Sequence, residues 1–312
     1  MSRVHDALRR AEQLGQRTRA TLSPAARMPA SAAREPLPLQ GLLAQVRQVP
    51  YSPSRDALLI KSGGDLGVDA PVEEFRSLRT RLNHLQSLQT LHTLVVTSPS
   101  PAEGKTFTAA NLAIAESHLK GNATLLADFD CRRPTAHVLF GLDRAPGITD
   151  YLMGKATLAE CMRRIADLDL YVMTAGTPVA NPLELLNLPE VRLLLERLPS
   201  VFNWVIIDTP PLLFAADANL LATYCDGTLL VVRLNATTGD MATRAIHGMS
   251  HNNLVGVVAN AARRAELYSK YGYPYYYSRG RQTKVPEDTR EEEIVEIVEE
   301  SAAADGNRRE EH

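Results

Sequence analysis

Gly104-Lys105-Thr106 is the first place in this 312-residue chain where residue types and spacing specify chemistry. The tripeptide follows a strand-like run ending Val95-Val96-Thr97. It is reached through Ser98-Pro99-Ser100-Pro101-Ala102-Glu103, and it opens a helical stretch over about 105–119. A bound phosphate needs backbone N–H groups wrapped around it at the positive end of a helix. It also needs a lysine reaching its outer oxygens and a hydroxyl on Mg²⁺, roles that Lys105 and Thr106 fit. The usual loop of this kind has a glycine five residues before Gly104, where this chain has Pro99. Taken alone, the three residues also suit an ordinary loop, so the reading depends on what lies around them.

Two acidic motifs supply that surrounding. Leu125-Leu126-Ala127 runs into Asp128-Phe129-Asp130-Cys131-Arg132-Arg133-Pro134. An i, i+2 pair of aspartates at the carboxyl end of a strand faces the crevice where ligands bind in open α/β sheets. One of Asp128 and Asp130 can take the proton of an attacking hydroxyl, and one can hold Mg²⁺ through water. Val205-Ile206-Ile207-Asp208-Thr209-Pro210-Pro211 is an apolar strand ending in an acid that suits Mg²⁺ binding through water. Each motif alone is a common strand terminus; three in this order indicate a site for ATP and Mg²⁺, with Lys105, Asp128, Asp130 and Asp208 as its chemical groups and Thr106, Asp128 and Asp208 around the metal.

The elements that must position them read as alternating strands and helices. Strand-like runs are Thr93–Thr97, Ala123–Asp128, Leu170–Thr174, Trp204–Asp208, Gly227–Leu234 and Val255–Asn260. Helices are expected at about 105–119, 134–139, 148–165, 188–199, 215–224 and 240–251, after a first one from Pro71 to Leu85. Continuous Val/Ile/Leu strands alternating with helices predict an α/β fold, a mostly parallel sheet covered on both faces. Residues 1–70 read as a short amphipathic helix and a flexible linker, 71–262 as the folded domain, and 263–312 as a flexible tail, tyrosine-rich and then acidic. Glu291–Glu300 has the composition of a charged helix.

Composition limits the alternatives. Hydrophobic residues are 45% and charged residues 22%, with 34 Lys and Arg against 36 Asp and Glu, a net charge of −2 that disfavours a nucleic-acid partner. Three scattered cysteines form no disulfide framework or thiolate metal site. No apolar run approaches the roughly 18 residues of a membrane span, so a cytoplasmic protein is expected. Six of ten tyrosines fall within Tyr268–Tyr277.

Over roughly residues 70–280 the chain resembles the bacterial tyrosine kinases of capsule and exopolysaccharide production. Ser98, Pro101, Glu103, Gly104, Lys105 and Thr106 match that family's phosphate loop, with Ala102 where the family has glycine. Asp128, Asp130, Arg132 and Pro134 match its second motif, and Ile206–Pro211 its third. The resemblance implies a P-loop NTPase fold of the deviant Walker A type, with Ser100, Pro101, Ala102, Glu103, Gly104, Lys105, Thr106 and Phe107 around the nucleotide and Asn260 against adenine. It implies that Tyr268, Tyr271, Tyr273, Tyr275, Tyr276 and Tyr277 are phosphorylated. It further implies that Glu73, Arg76 and Arg79, on one helical face, pack protomers into a ring; without it, that face reads as a solvated one. The absence of membrane spans resembles the split form of the family. The expected partners are then a separate membrane co-polymerase or chain-length determinant, which recruits the protein to the inner face of the membrane, and a protein-tyrosine phosphatase.

Two functional classes follow. One is an ATP-dependent protein-tyrosine autokinase acting between protomers and regulating polysaccharide polymerisation and export. The other is a non-kinase ATPase switch or scaffold that assembles on ATP. The switches of related P-loop type use an extra lysine early in the loop, and Thr97–Ala102 contains none.

Overall fold

The computed structural model describes residues 39, 41–51, 70–249 and 253–262, together with the backbone of 296–298. The described chain opens with α1 (Leu42–Gln45), β1 (Arg47–Val49) and α2 (Ala70–Leu88). Strand β2 (Thr93–Thr97), helix α3 (Lys105–Ser117), strand β3 (Thr124–Asp128) and the short helices α4 (Ala136–Phe140) and α5 (Ile148–Leu152) follow. Next come β4 (Met162–Ile165), β5 (Leu170–Met173), α6 (Pro182–Leu186), α7 (Pro189–Arg197) and β6 (Trp204–Asp208). The last are α8 (Ala216–Ala222), β7 (Gly227–Arg233), α9 (Gly239–Gly248), β8 (Leu254–Asn260) and β9 (Glu296–Val298).

These strands form one sheet in the order β1-β4-β5-β3-β6-β2-β7-β8-β9. Pairing is parallel except at β4–β5 and β8–β9. The central β2, β3 and β6 are buried at every position, as expected of uninterrupted apolar runs covered on both faces. Helix α3 is buried continuously from Thr108 to Ser117, and its alanines 109, 110, 113 and 115 let it lie close to the sheet. Over it packs α2, whose buried Phe75, Leu78 and Leu82 follow helical spacing. The rings of Phe75 and Phe107 meet edge to face at 6.0 Å.

Three sequence expectations change. The helix expected over 148–165 ends at Leu152, and the chain then forms turns and β4, antiparallel to β5; Met162 and Ile165 are buried at its ends while the two arginines between them stay partly exposed. Part of the stretch read as linker joins the domain: β1 pairs with β4, and Leu42 and Val46 are buried. Within the acidic stretch read as a helix, Glu296–Val298 pairs antiparallel with β8, in keeping with its β-branched Ile-Val pair.

At the end of the sheet remote from the strand carboxyl termini, Glu116 of α3 is buried. Its Oε2 accepts from Asn83 at 2.9 Å and Asn122 at 3.1 Å, and Trp204 donates its indole N–H to Asn83 Oδ1 at 3.0 Å. Burial raises the Glu116 carboxyl to about 7, against the opposing effects of the Asn83 bond, Arg79 and the Asn122 bond. The folded state therefore binds a proton that the unfolded state has released between pH 4.5 and about 7. Stability from this group is present in full below that window and is lost as pH rises through it. Glu116→Gln should flatten the dependence of stability on pH over this range, by about 2–3 kcal/mol across it. Urea melts at pH 5 and pH 8 check this; equal pH dependence in parent and variant would contradict it.

Candidate active site

The carboxyl ends of β2, β3, β6, β7 and β8 meet on one side of the sheet, and the sequence-predicted chemical residues lie there. From β2 the chain turns through Ser98–Glu103 and enters α3. Ala102 and Gly104 both take left-handed backbone conformations, with φ 61° and 92°. Only glycine fits at 104: a Cβ there would stand 1.9 Å from Asn260 Nδ2. The turn ends at the N-terminus of a 13-residue helix, where free N–H groups and the helix dipole favour an anion. The loop is tied to the end of β6. Leu212 N–H donates to the Ser98 carbonyl at 2.8 Å, and the Thr97 hydroxyl donates to the Pro210 carbonyl at 3.0 Å.

Parallel register sets Asp128 of β3 directly beside Asp208 of β6. Both are fully buried, and Asp130 is nearly so. Lys105 Nζ lies 3.0 Å from Asp130 Oδ2 and 3.4 Å from the Thr106 hydroxyl. Burial works to lower the lysine pKa, but Asp208, Asp130 and Asp128 outweigh it and hold the ammonium above its ordinary value. Burial and the neighbouring Asp208 push the Asp128 carboxyl well above the usual carboxylate range. Burial likewise raises Asp208, with Lys105 and the Thr106 hydroxyl opposing.

The three acids have different duties. Asp128 accepts backbone N–H groups on both oxygens, from Asp130 at 3.1 Å and Ala136 at 3.1 Å, and so shapes the loop between them. Asp130 accepts from the Arg133 N–H at 2.9 Å and turns its other oxygen to Lys105. Both Asp208 oxygens are buried without a well-formed hydrogen bond. A buried, unpaired carboxyl beside a threonine hydroxyl and the phosphate-type loop fits a hydrated Mg²⁺, a hard cation that retains water and takes few protein ligands.

Asn260, expected against adenine, is fully buried. Its amide donates to the Glu103 carbonyl at 3.1 Å and its oxygen accepts from the Ala261 N–H at 2.8 Å, so it buttresses the loop from beneath. Phe107 directs its ring at Phe75, leaving only its backbone for a ligand. Ser100 donates its N–H to the Glu103 carboxyl at 2.7 Å, and Pro101 and Ala102 are exposed at the loop tip. Arg76 pairs with Glu73 within α2, and Arg79 donates to the Ala115 carbonyl near the end of α3 at 3.0 Å. Tyr268, Tyr271, Tyr273, Tyr275, Tyr276 and Tyr277 lie outside the described residues. Two contacts escaped the sequence reading. Arg132 reaches the buried Asp217 with two bonds, of 2.6 and 3.1 Å, and the Thr237 hydroxyl bonds to the Glu103 carboxyl. Both partners stand far off in sequence, and neither belongs to a motif.

No family model matches the chain. It is 32% identical over 203 residues to the tyrosine-protein kinase YwqD of Bacillus subtilis, covering 64% of this chain and 85% of that protein. It is 34% identical over 213 residues to the tyrosine-protein kinase wzc of Salmonella typhimurium, where 67% of this chain matches only 29% of the relative. Among solved structures, the kinase domain of the Escherichia coli tyrosine kinase ETK superposes with a TM-score of 0.60 at 30% identity, covering 66% of this chain and 81% of that domain. With the same mostly parallel sheet and these relatives, the chain belongs to the bacterial tyrosine-protein kinases.

Proposed function

We propose that the chain is an ATP-dependent tyrosine autokinase that phosphorylates Tyr268–Tyr277 on a neighbouring protomer. The observation that carries this reading is the Lys105–Asp130 ion pair, set beside the unpaired Asp208 carboxyl at the phosphate-type loop. In this reading Lys105 leaves Asp130 for the β- and γ-phosphate oxygens. Asp130 is thereby freed to accept the tyrosine O–H proton as the phenolic oxygen attacks the γ-phosphorus and the bond to ADP breaks. Asp128 keeps the loop in shape. Thr106 and Asp208 would hold Mg²⁺, which, when bound, neutralises the phosphate charge. The effect rests on positioning and charge stabilisation.

Incubation with γ-labelled ATP and mapping of the label tests the chemistry. Lys105→Ala and Asp208→Ala should each remove tail labelling, by at least about a hundredfold. Asp130→Asn should lower kcat by about 10²–10⁴ with little change in melting temperature. Labelling at the parent rate in folded Lys105→Ala would overturn the assignment. A protein that binds ATP and assembles without labelling would be the non-kinase switch.

The assembly reading is a ring in which each tail enters the next active site, a heterologous contact that closes on itself. Phosphates of about −1.5 to −2 each would then repel the Asp128/Asp130/Asp208 crevice and release the tails. Removing Glu73 and Arg76 tests the ring with least damage, since each takes the other as its ion-pair partner; Arg79→Ala also loses the bond to Ala115. Light scattering should show Glu73→Ala/Arg76→Ala as monomers, and the parent should gain mass after phosphatase treatment. An unchanged mass in both comparisons would refute the ring.

Regulation of polysaccharide polymerisation and export, by a membrane co-polymerase that recruits and activates this chain and a phosphatase that resets it, completes the reading. Among the described residues no helix is long and apolar enough to cross a membrane. The cytoplasmic end of such a co-polymerase should raise the labelling rate of the purified protein at fixed ATP. Full activity without it, unchanged on its addition, would exclude this part of the proposal.

A further inference from the structure

Glu103 presents a puzzle of charge. It is an acid inside the loop read above as a phosphate cradle, immediately before the glycine that opens α3. A carboxyl there repels phosphate and is itself a good acceptor for the free N–H groups of the first helical turn. Left to rotate, it would occupy the donors that the phosphates need.

The fold turns it away. Glu103 is only 3% exposed. Its Oε2 accepts the Ser100 N–H at 2.7 Å, and its Oε1 accepts the Thr237 hydroxyl. Thr237 is in turn fixed from its other side: its oxygen accepts the Arg233 N–H, at the end of β7, at 2.8 Å. The Thr237 hydroxyl is thus spent as a donor to the acid and as an acceptor from the strand end, which sets its rotamer. Below, Asn260 holds the Glu103 backbone carbonyl. The side chain and the backbone of Glu103 are therefore each held by elements from the other half of the sheet, β7 and β8.

We infer that Thr237 is a positioning residue for nucleoside triphosphate binding, latching the Glu103 carboxyl on the Ser100 side of the loop and away from the N–H groups that open α3. The inference rests on the nucleotide reading of the loop. It adds a constraint from the β7–α9 connection, which carries no motif. Thr237 touches no reacting atom, so its effect belongs in affinity and not in turnover.

The test is a double-mutant cycle on the full chain, with a methylanthraniloyl derivative of ATP and Mg²⁺ as the fluorescent probe and labelled ATP for turnover. Thr237→Val, which keeps the shape and loses the hydroxyl, should weaken probe binding about tenfold and leave kcat at saturating ATP within about threefold. Thr237→Ser, which keeps the hydroxyl, should bind as the parent does. Glu103→Gln removes the competing charge, so adding Thr237→Val to it should cost less than about threefold, a non-additivity that independent sites do not show. Thr237→Val with a Kd within twofold of the parent, Thr237→Ser as weak as Thr237→Val, or a double variant whose loss is the product of the single losses would each overturn the latch. A parent chain that binds no probe would instead overturn the nucleotide reading itself.

Discussion

Three carboxyl groups share one buried crevice, and most of the local architecture answers to that crowding. Asp128 and Asp208 end adjacent parallel strands in direct register, and Asp130 follows two residues later. Neighbouring strands lie about 4.8 Å apart, and two unit charges at that spacing repel by roughly 3 kcal/mol at an effective dielectric of 20. Burial adds a desolvation cost for each. Lys105 is held against Asp130, and burial, with Lys105 opposing it, raises the Asp128 and Asp208 carboxyls. Buried acids at the foot of a phosphate-type loop fit a hard divalent cation.

Because the charges repel, the segments carrying them must be fixed from outside the crevice. The loop after β3 is stapled by the Asp128 bonds to Asp130 and Ala136 and by the two bonds from Arg132 to Asp217, at the start of α8. The loop after β6 is tied to the phosphate-type loop through Ser98 and Thr97. The three segments are thus joined to one another by bonds that leave the Lys105 ammonium and the Asp208 carboxyl out.

Legibility in the sequence tracked the range of the interaction. The central strands are apolar in their interiors, and their limits agree with the structure to within a residue, because burial on both faces confines polar residues to the strand ends. The three motifs were legible for a related reason: each is local, a strand end followed by a turn, and parallel register alone brings them together. Short antiparallel additions were not legible. β1 lies in Pro- and Ser-rich surroundings, and Met162–Ile165 follows a helix that ends just before Gly154, with its φ of 77°, while apolar residues continue beyond it at helix-like spacing. Nor were the braces. Thr237 lies 134 positions from Glu103 and Arg132 lies 85 from Asp217, separations at which one sequence carries no signal. The enclosure of the Asn260 side chain under Gly104 is a contact of the same long-range kind.

Ala102 follows from the same braces. Its φ of 61° is a conformation that glycine adopts freely and that costs an L-residue roughly 1–2 kcal/mol, and it stands where the resembling kinases have glycine. Such strain persists only where the surroundings over-determine the backbone. Here they do: the Ser100 N–H is bound by the Glu103 carboxyl, and the Glu103 carbonyl by Asn260. The residues on both sides of Ala102 are held through Glu103, so the loop retains its shape although its tip residue opposes it. Alanine also restricts the unfolded chain more than glycine does, which returns about 0.4–1 kcal/mol of the strain. The departure from the family pattern is therefore a small energetic loss confined to one residue, and it leaves the direction of the backbone N–H groups to the braces and not to the glycine.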